Sequence, residues 1–194
     1  MHDIEPFYHW RDDYTSEDDP QSPFYGRVYD EFVFSQKVYN YFIHPQWDEF
    51  GSQTLYTKLL FADYDREFAI LEFIGEWNDC LYNDIMFLKR EVAEPLMDAG
   101  ISKFVLICEN VLNFHGSDDC YYEEWREEVN DMGGWVVMLN TLDHVYDEMQ
   151  DTKLQYHVNL GRDFNDFNWR RLKPANLVLQ IEAMLDGNRK QLSY

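Results

Sequence analysis

The chain has 194 residues, 45% of them hydrophobic and 18% aromatic, a composition typical of one globular domain with an extension. Acidic residues outnumber basic residues 37 to 16, which gives a formal net charge of −21 at pH 7. This charge repels phosphate backbones and anionic lipid headgroups, so neither nucleic acid nor a membrane is expected as a partner.

Targeting and redox signals in the sequence favour a cytoplasmic protein. No apolar run approaches the roughly 18 residues of a membrane span, and the first residues lack the order of a signal peptide. The three cysteines are widely spaced and form no CxxC pair, so we expect reduced thiols and no disulfide framework.

Residues 1–53 differ in character from the rest of the chain. They are rich in aromatic and acidic residues and in turn signals, and residues 28–43 fit irregular or β structure better than the alternative helix. We expect residues 1–53 to form an extension packed on the following domain, because its rings resist exposure; these are Phe7, Tyr8, Trp10, Phe24, Tyr25, Phe32 and Phe34. The acidic stretch 12–19 is expected to be solvated and mobile.

Residues 54–194 are predicted to form an α/β domain. Residues 54–61 and 67–74 alternate as the strands of an antiparallel hairpin. A helix follows, with Asn83 as its cap and Pro95 as a kink or a second start. The apolar run 104–108 is typical of a central parallel strand, and a second helix ends at residues 133–134.

Helix and strand patterns continue to alternate toward the C-terminus. Residues 135–139 predict a buried strand, Thr141 caps the next helix, and residues 154–160 predict an edge strand. The last helix follows Pro174 and is expected to end at residues 186–188. The prediction is a mixed sheet with a parallel centre and crossover helices, in which the strands of Val105 and Val137 are central.

Two segments resemble STAS domains, the family of the bacterial anti-sigma-factor antagonists. One is similar to that family's opening strand and G-E-L-D motif, and it runs Phe68-Ala69-Ile70-Leu71-Glu72-Phe73-Ile74-Gly75-Glu76-Trp77-Asn78-Asp79. The other is similar to its strand and V-x-F-I-D-S-S-G-L loop, and it runs Lys103-Phe104-Val105-Leu106-Ile107-Cys108-Glu109-Asn110-Val111-Leu112-Asn113-Phe114-His115-Gly116-Ser117. The resemblance covers roughly residues 54–150 and is that of a divergent member, since His115, Gly116, Asp118 and Asp119 replace the family's residues around the second serine.

The resemblance implies a non-enzymatic STAS-like module that binds a protein partner through the loop and helix of residues 113–125. It implies that Ser117, which falls on the serine phosphorylated in the family, is a candidate switch. The residues that it assigns to partner binding or regulation are Asn113, His115, Ser117, Asp118, Asp119, Tyr122 and Trp125.

The residues of this loop also allow explanations that need no family. Ser117 suits a helix N-cap, and acids in the first turn favour the positive end of the helix dipole, so we favour capping over regulation. His115, Asp118, Asp119 and Cys120 include metal-ligand types, but their spacing matches no zinc or calcium motif. No nucleophile elbow or phosphate loop is present, so no enzyme activity, metal or cofactor is expected.

Positive charge is concentrated after residue 160. It comes from Arg162, Arg170, Arg171, Lys173, Arg189 and Lys190. Pairing with acids of the N-terminal segment, or ordinary surface charge, is favoured over a dock for an anion or an acidic peptide. Phe164, Phe167 and Trp169 are expected to cover the core.

Two function classes follow from the sequence. The first is the cytosolic interaction module just described. The alternative is a small-ligand-binding α/β protein with a pocket under the aromatic N-terminal segment. The sequence leaves the partner, the ligand and the oligomeric state open.

Overall fold

The computed structural model describes residues 4–30 and 32–191, and its centre is a four-stranded mixed sheet. The strands β3 (Leu55–Asp63), β4 (Phe68–Asn78), β5 (Lys103–His115) and β6 (Trp135–Leu139) lie side by side in chain order. β3 pairs antiparallel with β4, whereas β4, β5 and β6 are parallel. The predicted hairpin and the mixed sheet with parallel strands are therefore confirmed.

Crossover helices join the parallel strands, as parallel pairing requires. Between β4 and β5 lie α1 (Asp79–Tyr82), α2 (Asp84–Leu88), a π-helical turn at Lys89–Ala93, and α3 (Glu94–Asp98). α4 (Cys120–Asp131) connects β5 to β6, and α5 (Asp143–Asp151) follows β6. The long α6 (Pro174–Gln191) comes last.

Each face of the sheet carries its own hydrophobic core. Leu71, Phe104 and Met138 point to one face, which the helices α2 to α5 cover. Ile70, Val105 and Val137 point to the other face, which α6 and segments from both ends of the chain cover. The sheet is thus buried on both faces, which explains the nearly continuous apolar runs in the sequence.

The edge of the sheet corrects two predictions. Val105 lies in an internal strand, but the strand of Val137 is the last of the four and is not central. Residues 154–160 form no strand: they contain a 3₁₀ turn at Leu154–Tyr156 and a single bridge from Asn159 to Val137. Residues 135–139 are apolar because both faces of β6 are covered, and not because β6 lies between two other strands.

Helix ends correct two further predictions. Asn83 occupies the N-cap position of α2, as predicted, although it has a left-handed conformation and its side chain forms no cap bond. Leu142, not Thr141, is the N-cap residue of α5, and the Thr141 hydroxyl donates to Asn165 Oδ1 at 3.0 Å. α6 continues to Gln191, past the predicted stop at residues 186–188. Pro95 does begin the second half of its helix, in the first turn of α3.

The N-terminal segment is only partly buried. Trp10 and Phe24 are in the core, whereas Tyr8, Tyr25 and Phe32 are exposed, against the expectation that their rings would be covered. The segment also contains the two-residue strands β1 (Lys37–Val38) and β2 (Tyr41–Phe42), which pair as a small hairpin.

The acidic stretch 12–19 is not a simple solvated run. Asp19 accepts hydrogen bonds from the Tyr14 and Tyr64 hydroxyls at 2.8 and 2.5 Å, and Glu17 lies 3.4 Å from Lys58 Nζ. In the described part of the chain, every helix is too short or too polar to cross a lipid bilayer.

Candidate functional site

The loop singled out in the sequence lies at the tip of an extension of the sheet. β6 pairs only with the first half of β5, so residues 108–115 continue past it alongside β4. α5 supports this extension: His144 Nε2 lies 2.7 Å from the Leu112 carbonyl, and Phe114 N donates to Glu148 Oε2 at 3.1 Å. The loop after His115 therefore begins from a fixed base.

Three hydrogen-bonded polar side chains lie at the C-terminal ends of β4 and β5. Glu76 and Asn113 are register partners, and Asn113 Nδ2 donates to Glu76 Oε1 at 2.8 Å. The Tyr39 hydroxyl donates to the other oxygen of Glu76 at 2.5 Å. Asn113 is half-buried, and its hydrogen bond joins the C-terminal ends of the two internal strands β4 and β5.

The start of α4 is arranged differently from the capping prediction for Ser117. The N-cap residue is Asp119, and the Cys120 amide donates to Asp118 Oδ1 at 3.3 Å. The Ser117 side chain is exposed and has no hydrogen-bond partner among residues 4–30 and 32–191. The capping interpretation of Ser117 is wrong, because its carboxylate neighbours stand at the positions that cap the helix.

Contacts to other elements hold this loop in place. Asp119 Oδ2 lies 2.9 Å from His157 Nε2, which joins the loop to the segment after α5. A Cβ at Gly116 would stand 2.4 Å from Thr152 Cγ2, so only glycine allows this approach of the loop to the end of α5. The pKa of Asp119 is lowered by the hydrogen bond from His157, which favours the ionised form.

Two of the predicted site residues lie in the core. Tyr122 and Trp125 are 3% and 1% exposed. The Tyr122 hydroxyl donates to Asp79 Oδ2 at 2.6 Å, and the Trp125 ring packs edge-on against Phe104 at 5.1 Å. They fix α4 on the sheet, and the exposed members of the predicted set are His115, Ser117, Asp118 and Asp119.

The sequence analysis missed the buried acids beneath this helix. Asp79 accepts from Trp77 Nε1 at 3.1 Å and from Ile85 N at 2.8 Å, and Asp84 accepts from Asn78 N at 2.7 Å. Burial raises the pKa of Asp79 to about 6, helped by the nearby Asp84 and opposed by the hydrogen bonds that it accepts. Asp79 is the last residue of the segment that resembles the opening strand and G-E-L-D motif, but nothing in the sequence indicated that its carboxyl is buried.

A second buried acid lies on the opposite face of the sheet. Glu72 in β4 is 1% exposed, accepts from Phe7 N at 2.8 Å and lies 3.8 Å from Arg170 Nη2. Arg170 also pairs with Glu109 in β5. Burial raises the pKa of Glu72 to about 7, against the hydrogen bond from Phe7, with Glu109 raising it further. Arg170 therefore pairs within the chain, though with acids of the sheet and not of the N-terminal segment.

The other C-terminal residues follow the sequence prediction in part. Phe164 and Trp169 are buried over the second core and Phe167 packs against it, as expected. The side chains of Arg162, Arg189 and Lys190 lie outside the described part of the structure.

Among the described residues, one group of three acids has metal-ligand spacing. Oxygens of Glu94, Glu124 and Glu128 lie within 4.8 Å of one another. The buried Lys89 ammonium lies 2.7 Å from Glu94 and 2.9 Å from Glu128, so a cation of the chain itself already balances these acids. The ion pairs with Lys89 therefore explain why these carboxylates lie close together, and no metal ion is needed to balance their charge.

The space under the N-terminal segment bears on the alternative function. The cleft between Phe7, Arg11 and Tyr14 on one side and Lys58 and Leu60 on the other has room for about one water molecule. That is far below the roughly 300 Å³ at which ligand pockets begin. This cleft therefore does not favour the small-ligand alternative.

Comparison with known proteins gives a likeness of fold. No family model and no curated protein matches this chain. One similar solved structure is a crystal structure of a "putative anti-sigma factor antagonist" from Thermotoga maritima, with 13% sequence identity and a TM-score of 0.38. The match covers 47% of this chain and 77% of that chain.

Proposed function

We propose that this chain is a non-enzymatic protein-interaction module that binds its partner through the loop and helix of residues 113–125. The proposal rests on one observation: some side chains of that segment are buried and fix it in place, whereas others are exposed. Tyr122 and Trp125 are fixed in the core, while His115, Ser117, Asp118 and Asp119 stand exposed at the tip of the sheet. A loop held on a rigid scaffold and exposing its polar side chains is the usual form of a binding surface.

The charge of this face indicates the chemistry of the partner. Asp118, Asp119 and Glu123 are exposed, and residues 113–125 contain no lysine or arginine. Hydrogen bonds from Cys120 lower the pKa of Asp118, so its carboxyl is ionised at neutral pH. A partner with a basic surface complements this face and is steered toward it by the net charge of the chain.

Ser117 is the proposed site of regulation on this face. Its exposed hydroxyl forms no bond that a kinase would need to break. A phosphate would add about −1.5 to −2 charges beside Asp118 and Asp119, and would strengthen the attraction for a basic partner. Since Ser117 is not the cap of α4, its substitution tests regulation without changing the fold.

The test begins with the partner that cross-links to residue 117 of the full chain in native cells. We expect the purified partner to bind the Asp118→Asn, Asp119→Asn double variant at least tenfold more weakly, and Ser117→Asp at least as tightly as the natural chain. The double variant Asp12→Asn, Asp13→Asn makes the same change of charge at exposed positions elsewhere, and should bind normally.

Three outcomes would contradict the proposal. Equal binding by both double variants would show that net charge, not this face, governs binding. A change of more than about 0.5 kcal/mol in the unfolding free energy of Ser117→Ala would show a structural role for that serine. The absence of phosphate on Ser117 in protein from native cells would remove the regulatory part.

A further inference from the structure

A surface of exposed apolar side chains lies on the N-terminal segment. Seven of the fourteen large hydrophobic side chains that stand exposed in the described residues fall between residues 25 and 42. Val28 and Phe32 are 95% and 92% exposed, and neither packs on any element of the fold. The other members of this exposed apolar surface are Tyr25, Val33, Tyr39, Tyr41 and Phe42.

The exposed apolar area of this stretch of chain is large. At roughly 150 to 250 Å² for each aromatic side chain, the exposed fractions of its five rings alone amount to roughly 500 to 800 Å². Val28 and Val33 also line one cleft of about 320 Å³. One side of a stable protein interface covers about 800 Å².

A groove is lined partly by the same segment, and its Arg27 also lines the cleft that contains Val28 and Val33. The groove has a volume of about 460 Å³, with Phe24, Phe50 and Phe87 among its apolar lining residues. Two exposed acids, Glu49 and Glu91, also line it. Its one cation is already engaged, since Arg27 donates to Asp48 Oδ1 at 3.2 Å and to the Glu49 carbonyl at 2.8 Å. The Phe24 and Phe50 rings are almost fully buried, and the Arg27 guanidinium already lies 4.8 Å from the centre of the Phe24 ring. The groove therefore offers a new occupant chiefly unpaired negative charge, which suits a lysine or arginine side chain.

We propose that the exposed apolar surface and this groove dock a segment of a partner protein that carries apolar and basic side chains. The apolar side chains cover Val28 and Phe32, and a basic side chain enters the groove between Glu49 and Glu91. The net charge of −21 on each copy opposes a second copy of the chain as the occupant, and it opposes an anionic membrane as well. The proposal goes beyond the function proposed above, since it concerns other residues and a second contact.

The test uses peptides of defined sequence. A displayed library of 12-residue peptides is selected on the immobilised full chain, and the best peptide is synthesised with a fluorophore for polarisation measurements. We expect selected peptides that combine aromatic or aliphatic residues with lysine or arginine. Val28→Ser and Phe32→Ser, as well as the double variant Glu49→Gln, Glu91→Gln, should each weaken binding of that peptide at least tenfold. Leu179→Ser, at a similarly exposed position on α6, is the matched control and should change nothing.

Each other outcome would overturn the proposal. Failure to select any peptide, or selection of acidic peptides, would contradict the chemistry assigned to the partner. A dimer in light scattering that Phe32→Ser dissociates would make a second copy the occupant. Flotation with phosphatidylcholine vesicles that is lost in Phe32→Ser would make it a membrane. Loss of peptide binding in Asp118→Asn, Asp119→Asn, with Phe32→Ser unaffected, would assign the peptide to the 113–125 face instead.

Discussion

Replacement of the buried Glu72 by glutamine is expected to stabilise the protein at alkaline pH. Burial raises the pKa of Glu72 to about 7 from 4.5, and the folded protein therefore holds this proton more tightly than the unfolded chain. The stability that the proton contributes is complete below pH 4.5 and is lost as the pH rises through 7. This rise of the pKa from 4.5 to about 7, in a side chain that is 1% exposed, corresponds to about 3 kcal/mol of stability.

Glutamine keeps the shape of the side chain and removes the titration. Urea denaturation between pH 5.5 and 8.5 should show the natural protein losing about 2 kcal/mol relative to Glu72→Gln, since part of the 3 kcal/mol is already lost at pH 5.5. The unfolding free energy of Glu127→Gln, a variant at an exposed position of α4, should change with pH as that of the natural protein does. A stability difference between Glu72→Gln and the natural protein that is constant over this range would refute the reasoning, and so would one that favours the natural protein as pH rises.

Three further substitutions have expected outcomes. Arg170→Ala removes a half-exposed cation from Glu72 and Glu109 and should cost about 1 to 2 kcal/mol at pH 8.5, with a smaller loss at pH 5.5, as measured by urea denaturation. Gly75→Ala should lower the melting temperature by several degrees, because φ is +119° there and the new Cβ would lie 2.0 Å from the Thr54 carbonyl oxygen. Tyr122→Phe removes a donor from the buried Asp79 and should cost about 1 to 3 kcal/mol, without changing the circular dichroism of the folded protein.

Periodicity predicted the sheet because apolar pattern and strand burial have the same cause. The runs at residues 54–61, 67–74 and 104–108 are strands that lie between two covered faces. The first two predictions end within four residues of the observed strands, whereas β5 continues seven residues past the predicted end. The same pattern could not show strand order. Residues 135–139 are as apolar as an internal strand because α6 and α4 cover them, yet they lie at the edge of the sheet.

The helix-cap positions and the exposure of the aromatic rings could not be predicted from residue types alone, because both depend on contacts between distant parts of the chain. Ser117 and Thr141 are good cap residues by type, but tertiary bonds place Asp119 and Leu142 at the helix starts. Likewise, hydrophobicity says that Phe32 prefers burial but not whether the fold supplies a surface for it. The division of the chain at residue 53 stays a prediction.

The attachment of the N-terminal segment orders the events of folding. Trp10 donates from Nε1 to the Leu172 carbonyl at 3.2 Å, and the Phe7 ring stands 4.7 Å from Trp169. Residues 7–10 are therefore synthesised some 160 residues before the residues that they contact, and the Phe7 and Trp10 rings stay uncovered until then. Contacts so distant along the chain form late and slowly. During that interval one face of the nascent sheet has no cover, and its protection from other chains depends on α6, which is synthesised after all four strands.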